Sequence, residues 1–314
     1  MTGNSDYIVV IRSSNERTEA LCQKIVQKEA EGHSVVTIHE KPFKKALEKG
    51  FKIAIDAETK WLITVDADML ILPGAFKVLR EQAEMMPDHY LQLQGRILDK
   101  ISGKIRKAGP RIYRVALLEE ALELSRNYTD SIRPEALIVG SMGNKGHHSR
   151  YINFVTCLHD YEQYYRDLYR KTFVHARKHE EFVSAIIQCS VKNLKTDPDF
   201  RVVLKALWDG LMFEDEISID TRLFTDKADK ALAELQMDEK SLIPASFDYR
   251  AFLRDTLPEE MSSVHAKEID FHDQPVPEVP FFKRVQRTVR RKGLMNGIIS
   301  GIGSFLIFAG NRLK

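Results

Sequence analysis

Two carboxylates separated by one residue directly follow an apolar run in the stretch WLITVDADML, residues 61–70. Asp66 and Asp68 could form a solvated turn that caps a helix, as isolated aspartate pairs commonly do. They could also act in phosphotransfer, with the first aspartate as the nucleophile. Alternatively, their hard oxygen atoms could hold Mg²⁺ or Mn²⁺ and leave positions open for the phosphate oxygens of a nucleoside diphosphate.

Strands and helices alternate on both sides of this pair. Residues 7–11 and 33–40 are short apolar or β-branched runs, and residues 41–58 carry apolar side chains at helical spacing. The third apolar run ends at Asp66, and a helical pattern begins behind Pro73. This alternation predicts an α/β fold with an open sheet and substantial parallel pairing, whose ligands bind at the carboxyl ends of the strands.

The later part of the chain predicts further elements of both kinds. We expect strands at residues 89–99 and 151–159, and a strand followed by a helix within residues 111–124. Residues 140–150 have the composition of a polar, glycine-rich loop. Residues 160–191 contain neither proline nor glycine, and they predict one long helical stretch.

We predict three parts in the chain: an α/β domain at residues 1–205, a helical extension with a linker at 206–280, and a tail at 281–314. The tail joins glycine-rich apolar residues to a basic cluster of Lys283, Arg284, Arg287, Arg290, Arg291 and Lys292. This pattern predicts an interfacial helix on anionic lipid, which would place the protein on the inner face of a membrane. The tail could instead pack on its own catalytic domain or on a second subunit of a homo-oligomer.

The composition excludes some classes of partner. With 47 basic and 45 acidic residues, the net charge of +2 gives no global field for nucleic acid, and no aromatic residues interleave with the basic cluster. The three cysteines, Cys22, Cys157 and Cys189, have no CxxC spacing. They predict reduced thiols in a cytoplasmic protein, each more typical of a small buried hydrophobe than of a nucleophile.

The segment ALEKGFKIAIDAETKWLITVDADMLILPGAFKVL orders a helix with Gly50, an apolar strand, the acidic pair, Pro73 and a second helix. In this it resembles the GT-A fold glycosyltransferases, most closely glycosyltransferase family 2, over residues 6–175. The resemblance implies a Rossmann-like, mostly parallel sheet flanked by helices, with a helical C-terminal extension. It also implies sugar transfer from a nucleotide-sugar donor, with a divalent metal, Mn²⁺ or Mg²⁺, bound at the aspartates.

The resemblance assigns metal ligands and a base. It implies that Asp68 binds the metal, that Asp66 bonds the ribose or shares the metal, and that His159 completes the site at the end of the last strand. Glu135, eleven residues before Gly146, would be the general base, although Pro134 takes the place of the first acidic residue of the family's pair. Glu135 could instead simply occupy the favourable first turn of a helix.

Other candidates follow from the same comparison. Those implied to bind the nucleotide sugar are Arg12, Ser13, Glu16, Glu40, Asp66, Arg111 and Arg114, whose charged members could instead be surface residues. Weaker metal candidates are His147, His148 and His175, of which the first two could form a lid over the donor. A wall for the acceptor could be formed by Tyr161, Tyr164, Tyr165 and Tyr169, which could equally be half-buried packing.

These expectations describe a metal-dependent, inverting glycosyltransferase that moves a sugar from a UDP- or GDP-linked donor to a glycan or a lipid-linked saccharide. Two alternatives stay open. The first is a nucleotidyltransferase that forms nucleotide sugars, although IRSSNERTEAL lacks the glycine of a triphosphate loop. The second is a catalytically silent GT-A domain that serves as a membrane-bound assembly module.

Overall fold

The computed structural model describes residues 6–127, 133–215, 217–218 and 220–257. Within these ranges one sheet contains the strands β1 (Tyr7–Arg12), β2 (Val35–Ile38), β3 (Trp61–Asp66), β4 (Met69–Ile71), β5 (Gln92–Asp99), β6 (Lys104–Arg114) and β7 (Ser149–His159). Their order across the sheet is β2-β1-β3-β6-β5-β7-β4. The predicted α/β class is confirmed.

Most strands of the sheet point in the same direction, although three of the six strand pairings are antiparallel. β1 pairs parallel with β2 and β3, and β5 pairs parallel with β7. β6 is antiparallel to both β3 and β5, and β4 is antiparallel to β7. Five strands therefore run one way, and only β4 and β6 run against them.

The sheet is buried on both faces, which explains the continuous apolar runs in its sequence. Along β1, Tyr7, Val9 and Ile11 pack into one hydrophobic cluster. Ile8 and Val10 pack into a second cluster on the opposite face. This alternation follows from the period of two in a β-strand.

Helices cover the two faces and extend the chain beyond the sheet. They are α1 (Glu19–Glu29), α2 (Phe43–Asp56), α3 (Ala75–Glu84), α4 (Leu118–Ser125), α5 (Pro134–Asn144), α6 (Tyr165–Lys178), α7 (Val183–Asn193), α8 (Asp199–Met212), α9 (Thr225–Leu235) and α10 (Tyr249–Thr256). Within the described residues, no helix has both the length and the apolar character needed to cross a membrane.

The later helices form a core of their own. Tyr169 and Phe173 of α6 pack there with residues of α8 and α9. At the crossing of α6 and α8, a Cβ built on Gly210 would lie 2.4 Å from the Phe173 carbonyl oxygen. Glycine at this position therefore allows the close approach of α6 and α8.

Three sequence expectations are corrected. The expected loop at 140–150 is helical as far as Asn144, because α5 packs Ile138, Val139 and Met142 on the core and tolerates its glycines. The expected single helix over 160–191 is interrupted at His179, which has φ −133° and ψ 57°. The boundary placed at 205 falls inside α8. The tail at 281–314 lies outside the described residues.

Candidate functional site

A cavity of about 850 Å³ opens at the carboxyl ends of β1 and β3. The last residues of these strands, Arg12 and Asp66, are direct partners in the parallel ladder. The sequence-predicted site residues that line the cavity are Arg12, Ser13, Glu16, Glu40, Asp66, Asp68, Arg111 and Glu135. The fold thus gathers residues that lie far apart in the chain at one edge of the sheet.

Arg12 connects the acidic pair to Glu135. Its Nε donates to Asp66 Oδ1 at 2.7 Å, and its Nη1 donates to Glu135 Oε1 at 3.1 Å. Burial raises the pKa of Asp66 more than the Arg12 charge lowers it, and the neighbouring Asp68 and Glu135 charges raise it further. Arg12 therefore holds together two carboxylates that would otherwise repel each other.

Glu135 is held from a second side by Arg111 and Tyr113. Arg111 Nη1 lies 2.5 Å from Glu135 Oε2, and the Tyr113 hydroxyl donates to Glu135 Oε1 at 2.8 Å. Burial raises the pKa of Glu135, but the charges of Arg111 and Arg12 outweigh this and keep it below its ordinary value. Glu135 is consequently an ionised carboxylate at neutral pH, and both of its oxygens are engaged.

Asp68 lies in a separate cluster, formed because the chain passes from β3 into β4. β4 pairs with β7 so that Met69 is opposite His159. Asp68, His159 and Asp160 each offer one ligand atom, and these atoms lie within 4.8 Å of one another. Such a group could hold a metal ion, because carboxylate oxygen and imidazole nitrogen are suitable ligands for Mn²⁺.

The backbone at Asp160 turns its carboxylate towards this cluster. Asp160 has φ 62°, a left-handed conformation that is uncommon for residues other than glycine. Its N–H donates to the Asp68 carbonyl oxygen at 3.3 Å. Asp68 Oδ1 is buried and has no hydrogen-bond partner in the described part of the chain, whereas Asp160 Oδ2 lies 3.1 Å from His159 Nδ1. The strained turn and the unpartnered Asp68 oxygen both fit a bound cation.

The cluster already contains positive charge. Lys171 of α6 donates to Asp68 Oδ2, and to Asp160 Oδ1 at 2.5 Å. His159 Nδ1 lies 2.8 Å from Asp99 Oδ1. Burial lowers the pKa of His159, but the charges of Asp160 and Asp68 outweigh burial and raise it to about 10. A metal at this site would have to replace the His159 proton and the Lys171 ammonium.

The cavity is also lined by a group of cations: Arg106, Lys107, Arg133 and Lys178. The imidazole of His179 lies beside them, and burial followed by the Arg133 charge lowers its pKa to about 4. Arg133 Nη2 donates to the Lys178 carbonyl oxygen at 3.0 Å. Burial, followed by the charges of Arg133 and Arg106, lowers the pKa of Lys178 to about 8. Positive charges that depress one another in a cavity are typical of an anion site.

Three predicted contacts at the nucleotide end also line the cavity. The Ser13 hydroxyl lies 2.8 Å from Glu16 Oε2, and the backbone N–H of Ser14 donates to the same oxygen at 2.7 Å. Burial and the Asp68 charge raise the pKa of Glu16. Glu40 pairs with Lys49, whose hydrogen bond lowers the pKa of Glu40.

The prediction that Arg114 binds the nucleotide sugar is corrected, because Arg114 lies away from the cavity. It is opposite Trp61 at the start of β3, whereas Arg111 is opposite Thr64 near the end of β3. Positions 111 and 114 also point to opposite faces of β6, because side chains alternate along a strand. The Arg114 guanidinium packs 4.5 Å from the Trp61 ring and donates to the Met86 carbonyl oxygen at 3.1 Å.

The weaker histidine candidates are corrected too. His147 contacts Glu120 and His148 packs near Tyr90, both away from the cavity, so neither forms a lid over it. His175 packs against His179, and burial followed by the His179 charge lowers its pKa to about 3. A neutral His175 outside the Asp68 cluster is a packing residue.

The tyrosines do not line the cavity. Tyr165 and Tyr169 are buried in the core of the later helices, and the Tyr169 hydroxyl donates to Asp209 at 2.7 Å. Tyr161 is half-buried against Phe252. The packing interpretation is therefore correct for these three residues. Cys22 and Cys157 are buried as predicted, and burial raises their thiol pKa values, whereas Cys189 is only partly buried.

Sequence reasoning missed several residues of this site. The sequence gives one indication of Asp160, because this residue follows His159 directly at the end of a strand. It gives no indication of Lys171 and Lys178, since these residues lie on a helix that only tertiary packing brings to the cavity. Tyr113 shares the face of Arg111, and strand alternation from Arg111 indicates its direction.

No protein-family model and no curated protein matches the sequence. A mannosyltransferase from Pyrobaculum calidifontis, solved with GDP-Man and Mn²⁺, is similar in structure at 13% identity and a TM-score of 0.37, over 81% of this chain and 80% of that one. A glycosyltransferase involved in glycosylation of the major capsid of PBCV-1 is similar in structure at 10% identity and a TM-score of 0.35, over 48% of this chain and 93% of that one. The 4-diphosphocytidyl-2C-methyl-D-erythritol synthase of Anaerococcus prevotii is similar in structure at 8% identity and a TM-score of 0.38, over 50% of this chain and 90% of that one.

These similarities concern the course of the chain alone. The chain itself has an α/β fold, in which an acidic pair follows β3 beside the carboxyl end of β7.

Proposed function

We propose that this protein transfers a glycosyl group from a nucleoside-diphosphate sugar to an acceptor hydroxyl. One observation carries the proposal: the acidic pair and a group of cations line a single cavity of about 850 Å³. A diphosphate needs positive charge around its oxygens, and a sugar needs room beside it. The cavity offers both.

The donor diphosphate would be bound by cations that are now paired with carboxylates of the same cavity. Arg12 and Arg111 are paired with Glu135, and Arg12 also with Asp66. Guanidinium groups bind phosphate oxygens with two parallel hydrogen bonds and keep their charge when buried. They would therefore stabilise the charge that develops on the departing nucleoside diphosphate.

A divalent cation, Mn²⁺ or Mg²⁺, would be held by Asp68, His159 and Asp160, with Asp66 free to bond the ribose. When bound, such a cation neutralises the phosphate charge as a Lewis acid. The buried Asp68 Oδ1, which has no hydrogen-bond partner among the described residues, supports this assignment. Ser13, Glu16 and Glu40 lie at the same end of the cavity and would contact the ribose and the base, uracil or guanine.

Glu135 would be the general base. It is ionised at neutral pH because Arg111 and Arg12 lower its pKa, so it is ready to accept a proton from the acceptor hydroxyl. Once the guanidinium groups turn to the diphosphate, its oxygens are released for that hydroxyl. A base on the side opposite the leaving group gives inversion at the anomeric carbon.

The acceptor would be a glycan or a lipid-linked saccharide. We place the reaction at the cytoplasmic face of a membrane, with the tail at residues 281–314 as the membrane contact. The support for this placement is the basic and apolar sequence of the tail.

Donor turnover tests the proposal. The full-length protein is incubated with UDP- and GDP-sugars and Mn²⁺, and released UDP or GDP is measured. We expect release from one class of donor, and a loss of at least about a hundredfold in Glu135→Gln. Release of pyrophosphate from a nucleoside triphosphate and a sugar phosphate would indicate the nucleotidyltransferase alternative. No turnover and no nucleotide binding would indicate the silent assembly module.

A further inference from the structure

Lys171 occupies the place that a divalent cation would take. Its ammonium touches Asp68 Oδ2 and Asp160 Oδ1, the bonded oxygens of the same two carboxylates that belong to the candidate metal group. A metal ion at ligand distance from these oxygens would lie close to the ammonium that contacts them. Like charges at that separation repel, so the metal ion and the ammonium compete for the two carboxylates.

The charges also show that the Lys171 ammonium only partly replaces a divalent cation. Lys171 brings one positive charge to two carboxylates and leaves Asp68 Oδ1 without a hydrogen bond, while Asp160 Oδ2 lies 3.1 Å from His159 Nδ1. An ammonium has three donors in a tetrahedral arrangement, whereas a divalent cation accepts six ligands around it. The site thus retains one unused oxygen ligand, Asp68 Oδ1, while Lys171 is in place.

The side chain of Lys171 can also reach into the cavity. It lies on the cavity wall and is 21% exposed. Its Nζ donates to Asp68 and Asp160. Four flexible carbon atoms link the ammonium to α6. Rotation about the bonds of this side chain would move the ammonium into the cavity that we assign to the diphosphate.

We propose that Lys171 competes with the divalent cation for Asp68 and Asp160, and that its displaced ammonium moves to the diphosphate of the donor. The site is then closed to metal in the free protein and opens as donor and metal bind together. The identity of the anion rests on the proposed function. The competition between Lys171 and the metal does not, and it is tested without any nucleotide.

The chain contains a matched control. Lys100 also bridges two aspartates, with Nζ 2.9 Å from Asp197 Oδ2 and a second contact to Asp199. Its carboxylates lie outside the candidate metal group, and Lys240 holds Asp199 from the other side at 2.5 Å. Removal of Lys100 therefore frees a comparable ion pair at a place where we expect no metal.

The experiment is a calorimetric titration of the full-length protein with MnCl₂ alone, on the native chain, Lys171→Met and Lys100→Met. We expect Lys171→Met to bind Mn²⁺ at least tenfold more tightly than the native protein, and Lys100→Met to match the native protein. Because Lys171→Met leaves two buried carboxylates unpaired, Lys171→Gln is the second variant, since its amide still donates to one of them. The thermal midpoint of either Lys171 variant should rise more with Mn²⁺ than that of the native protein.

Equal or weaker Mn²⁺ binding in both Lys171 variants would overturn the proposal, as would equal tightening in Lys100→Met. If the glycosyltransferase assignment alone is wrong, donor turnover fails while tighter Mn²⁺ binding by the Lys171 variants persists. The two failures are thus distinguished.

Discussion

Arg12 and Asp66, the last residues of two neighbouring parallel strands, form an ion pair with Nε 2.7 Å from Oδ1. Arg12 continues to Glu135, 123 positions along the chain. In the free protein, the guanidinium groups of Arg12 and Arg111 are therefore paired with carboxylates of the same cavity. A diphosphate must compete with these carboxylates, and each variant below alters one side of that competition.

Glu135→Gln should separate binding from catalysis. It removes a charge that holds Arg12 and Arg111, so we expect UDP or GDP to bind several-fold more tightly by calorimetry. Transfer should fall at least about a hundredfold, because the amide accepts no proton. Glu120→Gln is the control, since Glu120 pairs with Lys145 on the surface. Weaker nucleotide binding with full transfer in Glu135→Gln would refute this role.

Arg111→Met and Arg114→Met should behave differently although they lie three residues apart. The first should weaken nucleotide binding at least tenfold, because its guanidinium faces the cavity. The second should leave binding unchanged but reduce the free energy of unfolding by about 1–3 kcal/mol, since it frees buried carbonyl groups. Calorimetry and urea unfolding measure the two effects. Equal loss of binding in both variants would contradict the corrected position of Arg114.

Nucleotide binding should weaken as the pH rises through about 8, because Lys178 loses its proton there. The shift is downward from 10.5, so the unfolded chain keeps this proton longer and the unfolding free energy rises between about pH 8 and 10.5. We expect about a tenfold loss of affinity for UDP or GDP between pH 7 and 9. Lys178→Met should flatten this profile, and an unchanged profile would exclude Lys178 from the anion site.

Gly210→Ala tests the helix crossing that brings Lys171 to the cavity. The added Cβ would meet the Phe173 carbonyl oxygen at 2.4 Å, so we expect a loss of about 1–3 kcal/mol in unfolding free energy. Gly140→Ala is the control, because a Cβ there meets nothing within 4 Å. It lies within α5 and should stabilise the protein by about 0.5–1 kcal/mol. Denaturant unfolding compares the two, and a neutral Gly210→Ala would argue against this packing.

The features of the fold and of the site that depend on local sequence patterns could be predicted from the sequence. The apolar runs of β1 and β3 identified strands, and the chemistry after them located Asp66, Asp68 and Arg12. His159 joined them because strand ends meet at one edge. Lys171 escaped prediction, since 103 residues separate it from Asp68 and only the packing of α6 joins them.

Other errors had local causes. Arg111 and Arg114 were grouped together although strand alternation places them on opposite faces. Glycines at 140 and 143 indicated a loop, but the apolar residues of α5 keep that segment helical. Only Gly146, with φ 94°, needs glycine at the end of this segment.

The most direct test of the account is a calorimetric titration of UDP and GDP, with and without Mn²⁺, on the native protein and on Asp68→Ala. The account predicts that one nucleotide binds, that Mn²⁺ strengthens its binding, and that Asp68→Ala abolishes the effect of Mn²⁺. If neither nucleotide binds the native protein under any of these conditions, the cavity is not a donor site and the central claim is wrong.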